Sequence, residues 1–203
     1  MTRITAFIDG FNFYHAMIEN GCDRLKWIDY YSLADAFVAK SREQLTKVFY
    51  FTAIVPWDTQ KAARHRLFIR ALEFYDIEVV IGKFKEVTRR CRICGKQYKT
   101  FEEKETDVSI GVTMLTEAFN DTFDKAFLFS GDSDMIAGVK ALKNVAPHKQ
   151  IHAIIPIGRS SFDLANTCHF SSKIKRHHLE RNQLPENIAL KDGSVLSKPK
   201  EWF

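Results

Sequence analysis

Along the chain, short apolar runs rich in β-branched and aromatic residues alternate with longer stretches whose apolar residues recur at helical spacing. Strands are predicted over 4–8, 45–52, 77–81, 126–130 and 151–155. Helices are predicted over 13–19, 30–39, 58–75 and 135–145, with a helical turn near 161–166. A further helix carries Val108, Val112, Leu115 and Phe119 on one stripe, with Thr106 as the expected N-cap and Asp107 in the first turn. Strands alternating with helices over short links imply an α/β fold. It should be a three-layer, Rossmann-like sandwich around a mainly parallel sheet of about five strands, because crossovers between parallel strands need helices.

Two segments fall outside that rhythm. Residues 83–103 form a basic, cysteine-containing insertion, expected as a protruding hairpin or knuckle. Residues 179–203 turn polar, carry prolines and glycines with little periodicity, and read as a C-terminal tail on a domain spanning 1–178.

The chemistry collects where apolar runs stop. The strand over 126–130 ends in Ser130-Gly131-Asp132-Ser133-Asp134, and the first strand ends in Asp9-Gly10-Phe11-Asn12. Asp9, Asp107, Asp132 and Asp134 are each expected at a strand's carboxyl end or a helix's amino end, which in an open α/β sheet lie on one edge. If the first and fourth strands are neighbours, Asp9 and Asp132 face each other across one crevice. Any single acid at a helix N-terminus relieves the macrodipole by roughly 0.3–1 kcal/mol and needs no other explanation. Four on one edge repel, and a divalent cation resolves the repulsion. Oxygen donors without a nearby His or Cys suit Mg²⁺ or Mn²⁺, for which a phosphodiester is the natural substrate. Asn12 and Ser130 could position a water or a phosphate oxygen, whereas Ser133 is expected to cap the following helix.

Taken together, Ile8-Asp9-Gly10-Phe11-Asn12, Thr106-Asp107-Val108 and Ser130-Gly131-Asp132-Ser133-Asp134 resemble the NYN domain, a branch of the PIN-like nucleases, over about residues 3 to 170. The resemblance implies strand order 3-2-1-4-5, a divalent metal on the acidic cluster and ribonuclease activity. By position it places Asp9, Asp107, Asp132 and Asp134 in the acidic quartet and Asn12 at the polar position after the first acid. It also matches Lys104 to a lysine that often precedes an acid of the cluster. A phosphatase of the haloacid dehalogenase type would need a second Asp at position 11, which is Phe. The function expected is therefore metal-dependent endoribonuclease. The alternative is a catalytically weak RNA-binding or regulatory module working through the basic insertion.

Composition changes this picture at four points. A formal net charge of +5 in 203 residues favours polyanionic partners, and the partner expected is single-stranded RNA. In the insertion, Arg89, Arg90 and Arg92 stand among Tyr98 and Phe101, a pattern that can hold a phosphate backbone and stack unpaired bases, or simply be a solvated loop. No stretch approaches a membrane span and no signal peptide precedes the first strand, so a cytoplasmic protein is expected. Finally, Cys91 and Cys94 form a Cys-x-x-Cys pair, half of a structural zinc site. Its other ligands would be Cys168, His169, His177 or His178, or the same loop of a second subunit in a homodimer. A site without metal remains open, and redox use is disfavoured because the pair does not open a helix after a strand.

Overall fold

The computed structural model describes residues 1–202. In chain order the elements begin β1 (Thr2–Asp9), α1 (Gly10–Glu19), α2 (Tyr30–Asp35), β2 (Glu43–Ala53), α3 (Thr59–Phe74), β3 (Glu78–Arg90) and β4 (Gln97–Lys104). There follow α4 (Thr106–Phe119), β5 (Lys125–Phe129), α5 (Met135–Val145), β6 (Gln150–Ile155), α6 (Phe162–Thr167), β7 (Phe170–Lys173), α7 (Arg176–Arg181), β8 (Asn187–Ala189) and β9 (Val195–Ser197).

Strands β1 and β5 are apolar on both faces because both are covered. Ile4, Ala6, Ile8, Phe127 and Phe129 point into one core with α1, α2 and α3, while Phe7, Ala126 and Leu128 point into the other with α4 and α5. Phe7, Phe127 and Phe129 are completely buried, each contributing roughly 2–3 kcal/mol of transfer free energy. This period-two division of one strand between two cores is what a parallel sheet between helix layers requires.

The sheet has seven strands in the order β4-β3-β2-β1-β5-β6-β7, all parallel except β4. Its parallel centre, β3-β2-β1-β5-β6, reproduces the expected 3-2-1-4-5 order. Two more strands than expected extend its edges. β7 is four residues of Phe-Ser-Ser-Lys, too short and polar to show as a strand in the pattern. β4 comes from the insertion, which is an antiparallel hairpin continuing β3 as far as Arg90, with Lys83 opposite Lys104 and Arg90 opposite Gln97. The chain leaves β1 toward β2 and β3, then returns to β5 on the other side of β1, so the switch point lies between β1 and β5, which pair directly.

Residues 179–203, read as a tail, continue the core through the described residues. Leu179, Leu184, Ile188 and Leu196 are buried in the first core, β8 pairs with β9, and Trp27 Nε1 donates to the Pro185 carbonyl at 2.8 Å. Single apolar residues spaced without a period make no signal in a sequence window, yet each fills a hole left by α1 and α3. Two expected caps also differ. Thr106 is the first residue of α4 rather than its cap, and its amide and hydroxyl both donate to Glu103. Ser133 precedes the N-cap of α5, which is Asp134 with no side-chain cap bond, and only its backbone carbonyl is engaged, accepting from Ile136 N–H at 3.0 Å.

Candidate active site

β1 and β5 end side by side, Ile8 opposite Phe129, so the loops that follow them meet at the switch point. Asp9 is 3% exposed and is the N-cap of α1, its Oδ1 accepting from the Asn12 amide at 3.0 Å. Its Oδ2 accepts from the Ser130 hydroxyl at 2.8 Å, and that hydroxyl oxygen accepts from Asp132 N–H at 3.0 Å. Asn12 Oδ1 accepts from Gly131 N–H at 3.0 Å, a second tie between the loops. Asp132 Oδ1 in turn accepts from Asp134 N–H at 2.9 Å. One network of short polar side chains thus sets the position of Asp9 relative to Asp132.

Asp107 reaches the same place from the first turn of α4. The entry to that helix is a sharp reversal at Glu105, which sits at φ 80°. An open cleft of about 640 Å³ is lined by Asp9, Asn12, Glu103, Asp107, Asp132 and Arg159. Lys104 lines it too, its ammonium 2.9 Å from Glu102. Asp134 is exposed and outside the lining, and acts on Asp107 only through its charge.

Burial pushes the Asp9 carboxyl up to about 6, with Asp107 and Asp132 adding to the shift and the Asn12 and Ser130 hydrogen bonds opposing it. Asp107 is likewise raised to about 6, first by partial burial, then by Asp132, Glu103 and Asp134. Two acids at one sheet edge therefore hold their protons well above the ordinary carboxylate range, up to about pH 6. A raised carboxyl makes the folded chain bind protons more tightly than the unfolded one, so the stability it contributes is present below the ordinary value near 3.8 and is lost as pH rises through about 6. In EDTA, the stability of Asp9→Asn relative to the unaltered chain should therefore rise between about pH 4 and pH 6, by on the order of 2 kcal/mol. Urea unfolding across that window measures it. A difference that does not vary with pH would mean that Asp9 stores no such repulsion.

Among the described residues, no three His, Cys, Asp or Glu side chains already form a metal cage. The donor set itself fits a hard cation that keeps most of its waters: it is mainly carboxylate, with His15 also on the cleft wall, and the neighbouring acids add to the raised pKa of Asp9 and Asp107. Asp107 and Asp132 have the more accessible oxygens, since both oxygens of Asp9 already accept hydrogen bonds.

Several expected contacts are relocated. Ser130 is fully buried with its hydroxyl used in both directions, so it positions Asp9 and Asp132 and does not face a substrate. Arg89, Arg90 and Arg92 stand at the far end of the hairpin, ~20 Å from Lys104 by strand rise. There, Arg89 Nε donates to Glu102 at 3.1 Å and Arg90 Nε to the Gly95 carbonyl at 2.9 Å. Cys91 and Cys94 occupy the hairpin turn, closed by Cys91 N–H to the Lys96 carbonyl at 2.8 Å and by Gly95 at φ 71°. The amides of Cys94 and Ile93 point at the Cys91 sulfur and hold its thiol below the usual range. The expected in-chain zinc partners lie across the sheet around β7 and α7. Cys168 is buried, and His169 Nδ1 and His178 Nδ1 accept backbone amides at 3.0 Å each.

Glu103 and Arg159 were not anticipated. Glu103 lies in the insertion, whose pairing with β3 brings it back over the sheet edge. Arg159 follows Pro156-Ile157-Gly158 after β6, another carboxyl-end loop, which was its only signal. Its Nη2 donates to Glu19 at 3.0 Å, while its buried Nε is without a partner among the described residues.

A doubly wound α/β sheet with an acidic cleft at the switch point defines a PIN-like domain. The family model described as NYN domain matches residues 3–174, and the chain belongs to that family within the PIN-like nuclease superfamily. Two solved chains match in fold. One is a protein of unknown function from Vibrio parahaemolyticus, with TM-score 0.57 and 18% identity over 86% of this chain and 94% of that one. No curated protein matches. Among the described residues, no helix is long and apolar enough to cross a membrane.

Proposed function

We propose that this chain is a metal-dependent endoribonuclease acting on single-stranded RNA. The observation that carries the reading is the pair Asp9 and Asp107, from separate elements, both raised to about 6 and sharing one cleft with Asp132. Asp107 and Asp132, with Asp9 behind them, would hold Mg²⁺ or Mn²⁺. Bound there, the ion lowers the pKa of a water and neutralises charge on the phosphodiester. Asn12 and Ser130 keep the acids in register, and Arg159 and Lys104 supply positive charge on the cleft walls for phosphate oxygens.

The test is incubation of the chain with single-stranded RNA in Mn²⁺ and in EDTA. Cleavage in Mn²⁺ alone supports the reading. RNA binding in EDTA with no cleavage in either ion sinks it in favour of the RNA-binding module. The pairing of Arg89 with Glu102 within the hairpin weighs against that module, because a surface built on the insertion has one of its cations neutralised, whereas Arg90, on the neutral Gly95 carbonyl, keeps its charge.

The hairpin turn is proposed as half of a structural Zn²⁺ site completed by the same turn of a second copy. Support comes from the amides aimed at the Cys91 sulfur, the accessible Cys94 and the distance of every other cysteine. Ile93 between them is 98% exposed and would be covered in such a homodimer. Cys91→Ser should abolish bound zinc, measured as metal per chain after purification, and shift the sedimentation coefficient to that of a monomer. Equal zinc in both proteins removes the site.

A further inference from the structure

Beside the acidic cleft lies a second, more enclosed cavity of about 340 Å³, within the ~300–1,000 Å³ range of small-ligand sites. Phe11, His15, Phe84 and Phe101 line both, so the two spaces share a wall. Their chemistry is opposite. The cleft gathers Asp9, Glu102, Glu103, Asp107 and Asp132, whereas the cavity has no acid among its lining residues and carries Lys26, Lys61 and Arg64. Aromatic rings form the rest of its mouth. Trp57 is 51% exposed, stacks on Phe101 with centroids 4.4 Å apart and 22° between planes, and meets Phe84 edge-on at 4.9 Å. Lys61 holds its ammonium 5.4 Å from the Tyr14 ring and has no acidic partner among the described residues.

An exposed tryptophan on a bed of phenylalanines does not follow from the needs of the core, and cations around an apolar hole do not suit an apolar ligand. Lys61 has no acidic partner among the described residues, while Arg64 lies 3.2 Å from Glu201 and Lys26 3.6 Å from Asp23, both partly exposed pairs that a phosphate can join. A planar ring attached to a phosphate suits both. We propose that this cavity takes one unpaired base of the RNA strand, stacked on Trp57 and the rings beside it, with Lys61 and Arg64 on the flanking phosphate. The shared wall would then set the spacing between the held base and the phosphodiester in the acidic cleft. The proposal rests on the nuclease reading only for the identity of the strand.

The probe is a short single-stranded RNA oligonucleotide titrated in EDTA, alongside a cleavage assay in Mn²⁺. Trp57→Ala should weaken binding roughly 5- to 150-fold, the range that stacking one base is worth, and Trp57→Phe should restore most of it. An oligonucleotide with one abasic nucleotide at the held position should lose a similar factor on the unaltered chain and nothing further on Trp57→Ala. Equal affinities for the unaltered chain and Trp57→Ala, additive losses in that cycle, or no binding of the oligonucleotide at all would overturn the cavity. Cleavage with binding that ignores Trp57 removes the cavity alone. Trp57-dependent binding without cleavage removes the nuclease reading and leaves the cavity standing. Even if Trp57→Ala folds poorly, equal binding of the intact and abasic oligonucleotides by the unaltered chain would overturn the cavity.

Discussion

Asp132→Asn is expected to lower Mn²⁺-dependent RNA cleavage by about 10²–10³-fold or more while leaving thermal stability nearly unchanged. Of the clustered acids it gives the cleanest test. Asp9 is buried with both oxygens bonded, so changing it disturbs the cap of α1 and the tie to Ser130. Asp132 is only partly buried, and its side chain serves the fold by accepting from the Asp134 amide, which an asparagine oxygen can also do. What the substitution removes is one negative charge facing Asp9 and Asp107. That change should also relieve the two raised carboxyls and weaken Mn²⁺ binding. Full activity in Asp132→Asn, with melting unchanged, would place the chemistry elsewhere.

Gly10→Ala should be the most damaging small substitution at the site. A Cβ there would stand 2.5 Å from the Tyr50 ring and 2.6 Å from the Phe51 carbonyl. Neither can move away. Tyr50 is buried and stacked on Tyr30 with centroids 5.0 Å apart, and Phe51 pairs with Asp9 in the β1–β2 ladder. Overpacking of this kind costs about 3 kcal/mol, which for a chain of this size lowers the melting temperature by roughly 6–12 °C. Gly111→Ala is the control, since its methyl would meet only the Gly138 Cα at 4.0 Å and alanine favours the helix. Equal melting of both variants would mean that α1 can retreat from β2, and the glycine after the first acid would lose its structural reason.

The α/β class and the parallel order were legible because hydrophobic period is a local property. Residues 4–8 are apolar except Thr5 and residues 126–129 are apolar throughout, a near-continuous run that a strand covered on both faces carries. The acids were legible for a related reason: Asp9 and Asp132 follow apolar runs and Asp107 opens a helix, and the carboxyl ends of parallel strands share an edge with the amino ends of the helices whatever the chain distance. Edges and ends were less visible. β7 and the hairpin β8–β9 are three or four residues each, and the apolar residues beyond Leu179 are isolated, so their partners exist only in the folded chain.

The sequence by itself determined the layered sheet, the edge on which Asp9, Asp107 and Asp132 stand, and the acidic character of that edge, since these follow from period, from chain direction and from residue type. Only the tertiary structure decided which groups work on one another. The β3–β4 pairing carried Glu103 and Lys104 into the cleft and took Arg89 and Arg90 away from it. The loop after β6 brought in Arg159, and the Ser130 hydroxyl became a strut between two acids. The cavity beside the cleft draws on α1, β2, α3, the hairpin and Trp202 near the chain's end. Such juxtapositions depend on register and on crossing angles between elements far apart in the chain, which no local window encodes.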